Sequence, residues 1–225
     1  TMSAAVSRYF TSSIGRKQLI ALSGLLLCGF LVSHLLGNFL LLVGANAFNL
    51  YAHKLISMGP LLYVAEAGLA GIFALHLGLA IKLTIENKVA RGQKYYVKNR
   101  TGRGETLMSA SMPYTGLILL AFLISHLIHF KFGPHYTTDI DGVIVRDLYK
   151  TVVEFFSSPL NTAWYVISMA AAALHTSHGF SSAFQSFGFN HGKWTPKVKL
   201  LGVVYAILVA GGFALISVLL HVKGA

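Results

Sequence analysis

Long windows free of charged side chains are the feature that most limits how this chain can fold. Four windows contain no Asp, Glu, Lys or Arg and one contains only Glu66; in chain order they are 18–53, 55–81, 106–130, 155–192 and 200–222. Each is longer than the ~20 residues that an α-helix needs to cross the hydrocarbon core of a bilayer. The sequence therefore predicts an all-α integral membrane protein. Its five transmembrane helices, packed in a bundle, are predicted at 17–43, 61–85, 107–132, 160–187 and 198–222.

The segments between the predicted spans are short. The longest are the loop 86–106, which is rich in Lys and Arg, and the loop 133–158. Neither is long enough to form a separate soluble domain. We therefore interpret residues 1–225 as a single membrane domain.

The formal net charge of +11 is unevenly distributed. Thirteen of the 18 Lys and Arg residues precede the first span, lie in or beside the loop 86–106, or link the fourth and fifth spans. An excess of Lys and Arg marks the cytoplasmic side of a membrane protein. The N-terminus is therefore predicted to be cytoplasmic, and the loop 133–158 and the C-terminus to lie outside. The charge indicates topology rather than nucleic-acid binding, although a basic face is also suited to docking a soluble partner.

Histidines are the chemically informative residues within the spans. Six of the ten histidines lie there: His34, His76, His126, His129, His175 and His178. Polar side chains inside a membrane are costly, and they usually face the bundle interior and mark a site. A lone histidine near a helix end is more often an interfacial or hydrogen-bonded residue, so the grouping of several histidines carries the argument.

Depth separates four of these histidines into two pairs. At ~1.5 Å per residue, His34 and His126 lie roughly 9–13 Å from the outer ends of their spans. His76 and His175 lie roughly 13–18 Å from the inner ends of theirs. We call His34 and His126 the outer pair, and His76 and His175 the inner pair. Haem b with two axial histidines requires opposing imidazoles from facing helices of this kind, so the sequence predicts two haem b sites.

His129 and His178 lie one helical turn beyond His126 and His175, on the same helix faces. Two HxxH metal sites are the alternative interpretation. They would leave His34 and His76 unused, and Glu66 is the one carboxylate within a span that could complete such a site. We interpret His129 and His178 as partners of a haem propionate or of water.

Four short motifs occur in order on the first four spans: SHLLGN at 33–38, LHLGLAI at 75–81, ISHLIHF at 124–130 and LHTSHGFSSAFQSFG at 174–188. Together they resemble the cytochrome b membrane-anchor subunit of succinate:quinone oxidoreductases, the succinate dehydrogenases and fumarate reductases. The resemblance is to the single-subunit, five-helix class with two haems, and it extends over nearly the whole chain.

The resemblance implies a distal haem on His34 and His126 and a proximal haem, nearer the cytoplasm, on His76 and His175. It implies a flavoprotein subunit and an iron–sulfur subunit on the cytoplasmic face, a membrane quinone, for which menaquinone is favoured, and a location in the bacterial cytoplasmic membrane. A dimer of complexes also fits the family. Some fumarate reductases of this class carry a glutamate two residues before the fourth-span ligand; the residue here is Ala173, which argues against a proton path of that kind.

Quinone chemistry also requires a proton donor or acceptor. Glu66 is predicted for this role because it is the one acid within a span, near the level of the outer pair; the alternative is a carboxylate that faces water at a helix start. The predicted propionate partners are Arg16, Lys17, Gln185 and Lys193 on the inner side and Lys131 and His129 on the outer side.

Two other classes of protein remain open on the sequence. One is a b-type cytochrome subunit of another membrane oxidoreductase, such as a hydrogenase or a formate dehydrogenase. The other is a non-haem proton or metal transporter lined by histidines. Two haems per chain would give a visible absorption spectrum, whereas the transporter would have none.

Overall fold

The structure, a computed structural model, describes residues 8–90, 107–189 and 191–224. Most of the predicted cytoplasmic loop 86–106 therefore lies outside the described residues. The described elements are α1 (Ser13–Asn38), α2 (Leu40–Val43), α3 (Ala45–Ile56), α4 (Pro60–Ala90), α5 (Leu107–His126), β1 (Thr137–Ile140), β2 (Val143–Arg146), α6 (Leu148–Ser157), α7 (Pro159–Ser186) and α8 (Thr195–Gly224). The described part of the chain is thus almost entirely α-helical, with one small β-hairpin.

Within the described ranges, four segments are long and apolar enough to cross a membrane: Ser13–Val43, Pro60–Ala90, Ser109–Lys131 and Thr195–Gly224. They correspond to four of the five predicted spans. The remaining predicted span, 160–187, is helix α7, whose 28 residues would extend about 42 Å. It is less apolar because of its Ser, Thr and His residues, and its passage across the membrane stays a prediction.

Helix α7 is nonetheless the most enclosed of the long helices. It contributes nine buried residues to the interior, four of which are serine or threonine: Thr162, Ser168, Ser177 and Ser181. Each hydroxyl donates to a backbone carbonyl, three of them one turn earlier in the same helix. These contacts satisfy the polar atoms inside the protein, so a helix of lower hydropathy can occupy the centre of the bundle.

The helix ends differ from the prediction by a few residues. Helix α1 begins at Ser13 because the side chain of Ser12 accepts a hydrogen bond from the Gly15 backbone N–H at 3.1 Å. Helix α4 extends to Ala90 rather than ending at residue 85. Helix α5 continues as a π-helical turn, Leu127–Lys131.

The segment 133–158, predicted as an outer loop, contains regular secondary structure. Strands β1 and β2 pair antiparallel across Asp141 and Gly142, which both have positive φ angles, 54° and 83°. An Asp-Gly dipeptide with this geometry favours a tight two-residue hairpin. Helix α6 follows, and its first turn is capped by the Asp147 carboxylate, which accepts from the Lys150 N–H at 3.0 Å.

Helix α3, the β-hairpin and helix α6 together form what we call the outer cap. Asn49, 1% exposed, joins its parts. The Asn49 amide donates to the Asp147 carboxylate at 2.8 Å, and its carbonyl oxygen accepts from the Tyr149 N–H at 2.9 Å. The cap therefore has a defined structure rather than that of a flexible connection.

The largest cluster of buried apolar side chains lies between the outer cap and helices α1, α2, α7 and α8. It comprises Leu35, Leu41, Phe48, Val152, Phe156, Tyr165, Ile216 and Leu220. Helix α4 is different, because none of its 31 residues, all of them described, is buried. It packs mainly along α1, which leaves the space between α4 and α7 to be spanned by side chains.

Candidate functional site

The outer pair joins helices α1 and α5. The ring centroids of His34 and His126 lie 5.9 Å apart with their planes at 82°. Aromatic rings surround them: Phe30 stacks on His34 at 5.3 Å, Phe213 lies 5.6 Å from His34, and Phe122 lies 5.7 Å from His126. The two imidazoles therefore meet in an apolar aromatic setting.

The inner pair joins helices α4 and α7. The ring centroids of His76 and His175 lie 6.4 Å apart with their planes at 68°. The structure thus brings together the same two pairs that depth along the spans indicates. Four helices each supply one imidazole.

Side-chain hydroxyls contact both histidines of the inner pair. The Ser23 hydroxyl lies 3.2 Å from Nδ1 of His76, and the Thr115 hydroxyl lies 3.1 Å from Nδ1 of His175. In each case the hydroxyl comes from the helix that does not carry the histidine, α1 for His76 and α5 for His175. A hydrogen bond at one ring nitrogen orients an imidazole for metal binding through the other.

Glycines follow both of these hydroxyl residues. A Cβ on Gly24 would lie 3.2 Å from Cε1 of His76, closer than most side-chain contacts, and one on Gly116 would touch Cε1 of His175 at 3.6 Å. The missing side chains allow α1 and α5 to approach the imidazoles closely.

The outer pair has a hydroxyl contact of a different kind. The Tyr165 hydroxyl on α7 lies 3.2 Å from Nδ1 of His126. Its ring packs among aromatic neighbours, 4.9 Å from Phe122 and 4.9 Å from Phe156. None of the three hydroxyl contacts was predicted from the sequence. Two of the hydroxyl residues, Ser23 and Thr115, share one sequence feature: each lies eleven residues before a histidine on its own helix.

These arrangements fit two axial imidazoles of a haem. In such a site each of the two metal–nitrogen bonds is about 2 Å long, and each ring centroid lies half a ring width beyond the bound nitrogen. The centroids of the two opposing imidazoles are therefore about 6 Å apart. The observed separations are 5.9 and 6.4 Å. No group of three or more His, Cys, Asp or Glu residues that could hold a metal ion occurs among the described residues. Paired imidazoles suit a haem, whose porphyrin supplies the four other ligands.

His129 and His178 do not take part in the two ring pairs, although they lie within electrostatic range of His126 and His175, respectively. Nδ1 of His129 is 2.6 Å from the Ser125 carbonyl, and its ring lies 4.5 Å from that of Phe155 in the outer cap. His178 is partly buried and lies within electrostatic range of Lys199. Their proposed contacts with propionates or water stay predictions.

The predicted inner propionate partners are not gathered around the inner pair. Arg16 forms an ion pair with Glu86 at 2.5 Å across the inner ends of α1 and α4. Lys17, Gln185 and Lys193 are exposed. In the described part of the chain, no hydrogen bond or ion pair connects these four residues with His76 or His175, so their roles also stay predictions.

Glu66 and Lys131, predicted for two different roles, form an ion pair with each other. Lys131 also lines a pocket of about 340 Å³ beneath the outer cap, with Ile56, Leu62, Tyr63, His135 and Arg146. Nε of Arg146 is buried and has no hydrogen-bond partner among the described residues. Burial lowers the pKa of the Arg146 guanidinium from its usual value. The pocket thus combines an apolar wall with groups that can donate hydrogen bonds.

The fold and the site define the class of protein: a helical membrane protein with two histidine pairs inside its bundle, each suited to bis-histidine haem. In comparisons with known proteins, no family model and no solved structure matches the chain. The chain is similar to the "Succinate dehydrogenase cytochrome b558 subunit" of Bacillus subtilis (strain 168), with 24% identity over 197 residues, which cover 86% of this chain and 88% of the relative. This similarity supports a relationship to the succinate dehydrogenase cytochrome b family.

Proposed function

We propose that this protein is the membrane-anchor and electron-transfer subunit of a succinate dehydrogenase or fumarate reductase, connecting an iron–sulfur subunit with a membrane quinone. The observation that carries the proposal is the placement of four intramembrane histidines from four helices in two pairs, 5.9 and 6.4 Å between centroids. The relative's printed name, a succinate dehydrogenase cytochrome, agrees with it.

In this proposal the outer pair holds the distal haem b and the inner pair holds the proximal haem b. Each haem, when bound, supplies a one-electron carrier. The chain's own residues fix its position: the imidazoles provide axial ligands, hydroxyls orient three of the four rings, and the phenylalanines around His34 and His126 exclude water. Two sites at different depths would divide the passage across the membrane into shorter steps.

In this proposal the quinone binds at the outer side of the membrane. The Glu66 carboxylate is held beside Lys131, which lines the pocket below the outer cap. A quinone head group is neutral; its carbonyl oxygens accept hydrogen bonds, its reduction requires a proton donor and the oxidation of the quinol requires a proton acceptor. Lys131 can supply the donor, and Glu66 can exchange the proton.

The partners follow from the same proposal. The flavoprotein subunit carries the succinate and fumarate chemistry, and the iron–sulfur subunit docks on the basic cytoplasmic face. Menaquinone is the favoured quinone, the location is the bacterial cytoplasmic membrane, and complete complexes form dimers.

The absorption spectrum of the purified full-length chain tests the haem proposal. We expect a Soret band, a reducible α-band and two haems per chain. Replacing His126 or His175 by Ala should remove one haem each, whereas His191→Ala, at an exposed site between α7 and α8, should retain both. A chain without visible absorbance would instead support the histidine-lined transporter.

Co-purification distinguishes the proposed complex from other b cytochromes. A flavin and an iron–sulfur subunit isolated with the chain, together with succinate-dependent quinone reduction, are the expected result. A haem-containing chain isolated with hydrogenase or formate dehydrogenase subunits would overturn the assignment while leaving the haem sites intact.

A further inference from the structure

The hydroxyl contacts at the inner pair carry information about which ring nitrogen holds the proton. The Ser23 hydroxyl donates to the Leu19 carbonyl at 2.8 Å, one turn earlier in α1. The Thr115 hydroxyl donates in the same way to the Ser111 carbonyl at 3.1 Å in α5. A hydroxyl has one hydrogen to donate. With that hydrogen engaged by the helix, each oxygen faces its histidine as an acceptor.

An acceptor at Nδ1 determines the tautomer of a neutral imidazole. When these oxygens act as acceptors, Nδ1 of His76 and of His175 is the donor and carries the proton. Nε2 then carries no proton and keeps its lone pair, so Nε2 is able to bind iron. The carbonyl of Ile20 lies beside the His76 ring as a second acceptor, which favours the same tautomer.

The arrangement of hydroxyl and histidine occurs twice, with the same sequence spacing. Ser23 lies eleven residues before His34 on α1, and Thr115 lies eleven residues before His126 on α5. Eleven residues are close to three helical turns, or about 16 Å of helix. Each of these helices therefore presents a hydroxyl and a glycine to one pair and, on the same face, a histidine to the other pair.

At the outer pair, the hydroxyl contact does not fix the imidazole tautomer. Among the described residues, the Tyr165 hydroxyl has one hydrogen-bond partner, Nδ1 of His126. Its hydrogen is not engaged by a carbonyl, so the phenol can either donate to that nitrogen or accept from it. The tautomer of His126 is therefore not determined by the protein alone.

We propose that Ser23 and Thr115 are positioning residues that fix His76 and His175 in the iron-binding tautomer and raise the basicity of these ligands. The inference rests on the proposed function, because it concerns how a haem would be held at the inner pair. Its two consequences are tighter haem binding and a lower midpoint potential at the inner site, because a more basic imidazole stabilises the ferric state.

The test uses Thr115→Val, which retains the shape of the side chain but removes the acceptor, with Thr115→Ser as the variant that retains the hydroxyl. Haem content and midpoint potentials are measured by spectroelectrochemistry on the full-length chain in its complex. We expect Thr115→Val to weaken inner-site haem binding roughly 10–100-fold. If the ferric state weakens tenfold more than the ferrous state, the midpoint potential rises by about 59 mV. Thr115→Ser and the outer site should remain close to wild type.

Ser23→Ala provides a second, independent test of the same proposal. Its matched control is Ser217→Ala, since Ser23 and Ser217 are each 3% exposed and donate to a carbonyl four residues earlier. We expect Ser23→Ala to raise the potential of the same haem, by less than Thr115→Val because Ile20 remains as an acceptor.

The outcomes separate the inference from the proposed function. A wild-type chain without haem would overturn both. Two haems in wild type, with unchanged inner-site potential and affinity in Thr115→Val and Ser23→Ala, would overturn the inference alone. Equal shifts in Thr115→Ser or Ser217→Ala would also overturn it, because they would show a packing effect rather than a hydrogen bond.

Discussion

Glu66 is the residue whose role the structure makes most testable. Its carboxylate forms an ion pair with Lys131, and Lys131 lines the outer pocket. We expect Glu66→Gln to lower quinone turnover about 100-fold or more, the scale of general acid–base catalysis, because the amide cannot exchange the proton. Haem content and succinate oxidation with an artificial acceptor should persist.

Glu154→Gln is the matched control for Glu66→Gln. Glu154 is also an ion-paired carboxylate on the same side of the protein, 3.7 Å from Lys150, but its partner Lys150 does not line the pocket, whereas Lys131 does. Quinone turnover that is normal in Glu66→Gln, or equally reduced in both variants, would contradict the proposed proton exchange at Glu66.

Asn49 is the corresponding test of structure in the outer cap. Asn49→Leu removes one of the hydrogen bonds to the Asp147 carboxylate, which keeps the Lys150 N–H, and leaves the Tyr149 N–H without its side-chain acceptor, at a cost of about 1–3 kcal/mol. A loss of that size lowers the Tm of a chain of this length by roughly 2–10 °C. Thermal unfolding in detergent measures it, and Asn46→Leu, at an exposed position of the same helix, should leave the Tm unchanged. Equal Tm values for the two variants would show that Asn49 does not hold the cap.

The sequence identified the histidines but not the residues that orient them. His34, His76, His126 and His175 stand out because an imidazole is rare in a membrane span. Ser and Thr commonly bond back to their own helix in such spans, so Ser23 and Thr115 carry no signal as single residues. Only the repeated eleven-residue register would have distinguished them.

At the scale of elements, charge-free windows predicted the long helices well and the connections poorly. The outer cap was missed because its strands are four residues long and its helix ten, too short to produce a strong periodic pattern. The turn at Asp141 and Gly142 was the available signal, since this dipeptide favours a tight hairpin. Helix α7 was located correctly as a helix because its charge-free window was used, not its hydropathy.

Helix α4 should depend on the inner site more than any other long helix. It has no buried residue, and its His76 ring contacts the His175 ring of α7. A haem between His76 and His175 would join α4 to the bundle centre. We therefore expect His175→Ala, which leaves α4 itself unaltered, to accelerate amide hydrogen exchange in α4 several-fold, with α8 unchanged.

His34→Ala is the control for this exchange measurement. It removes a ligand of the outer pair, which involves α1 and α5 rather than α4. Exchange in α4 should therefore stay close to wild type. Equal protection of α4 in His175→Ala and in the wild type would show that the inner site does not anchor this helix.

At the scale of the whole molecule, orientation in the membrane connects the parts of the proposal. The inner pair serves an iron–sulfur partner only if the ends of α1 and α4 near Arg16 and Glu86 face the cytoplasm. The pocket beside Lys131 serves the outer leaflet only if the cap lies on the opposite side. Together they place α7 across the membrane, because it begins at the cap and its last residue, Ser186, accepts a hydrogen bond from the Gln18 side chain near the start of α1.

Labelling of single cysteines with a membrane-impermeant maleimide tests that topology. The natural Cys28 is first replaced by Ser, and a cysteine is then placed at exposed Thr137 in the cap or at exposed Lys193 between α7 and α8. We expect Thr137→Cys to react in intact spheroplasts and Lys193→Cys to react only after permeabilisation, because thirteen basic residues favour the cytoplasm for the side that includes Lys193. Reaction of both positions in intact spheroplasts would place the two ends of α7 on one side and reduce the number of spans to four. Reaction of Lys193→Cys alone would reverse the orientation, and the inner pair would then face away from any cytoplasmic partner.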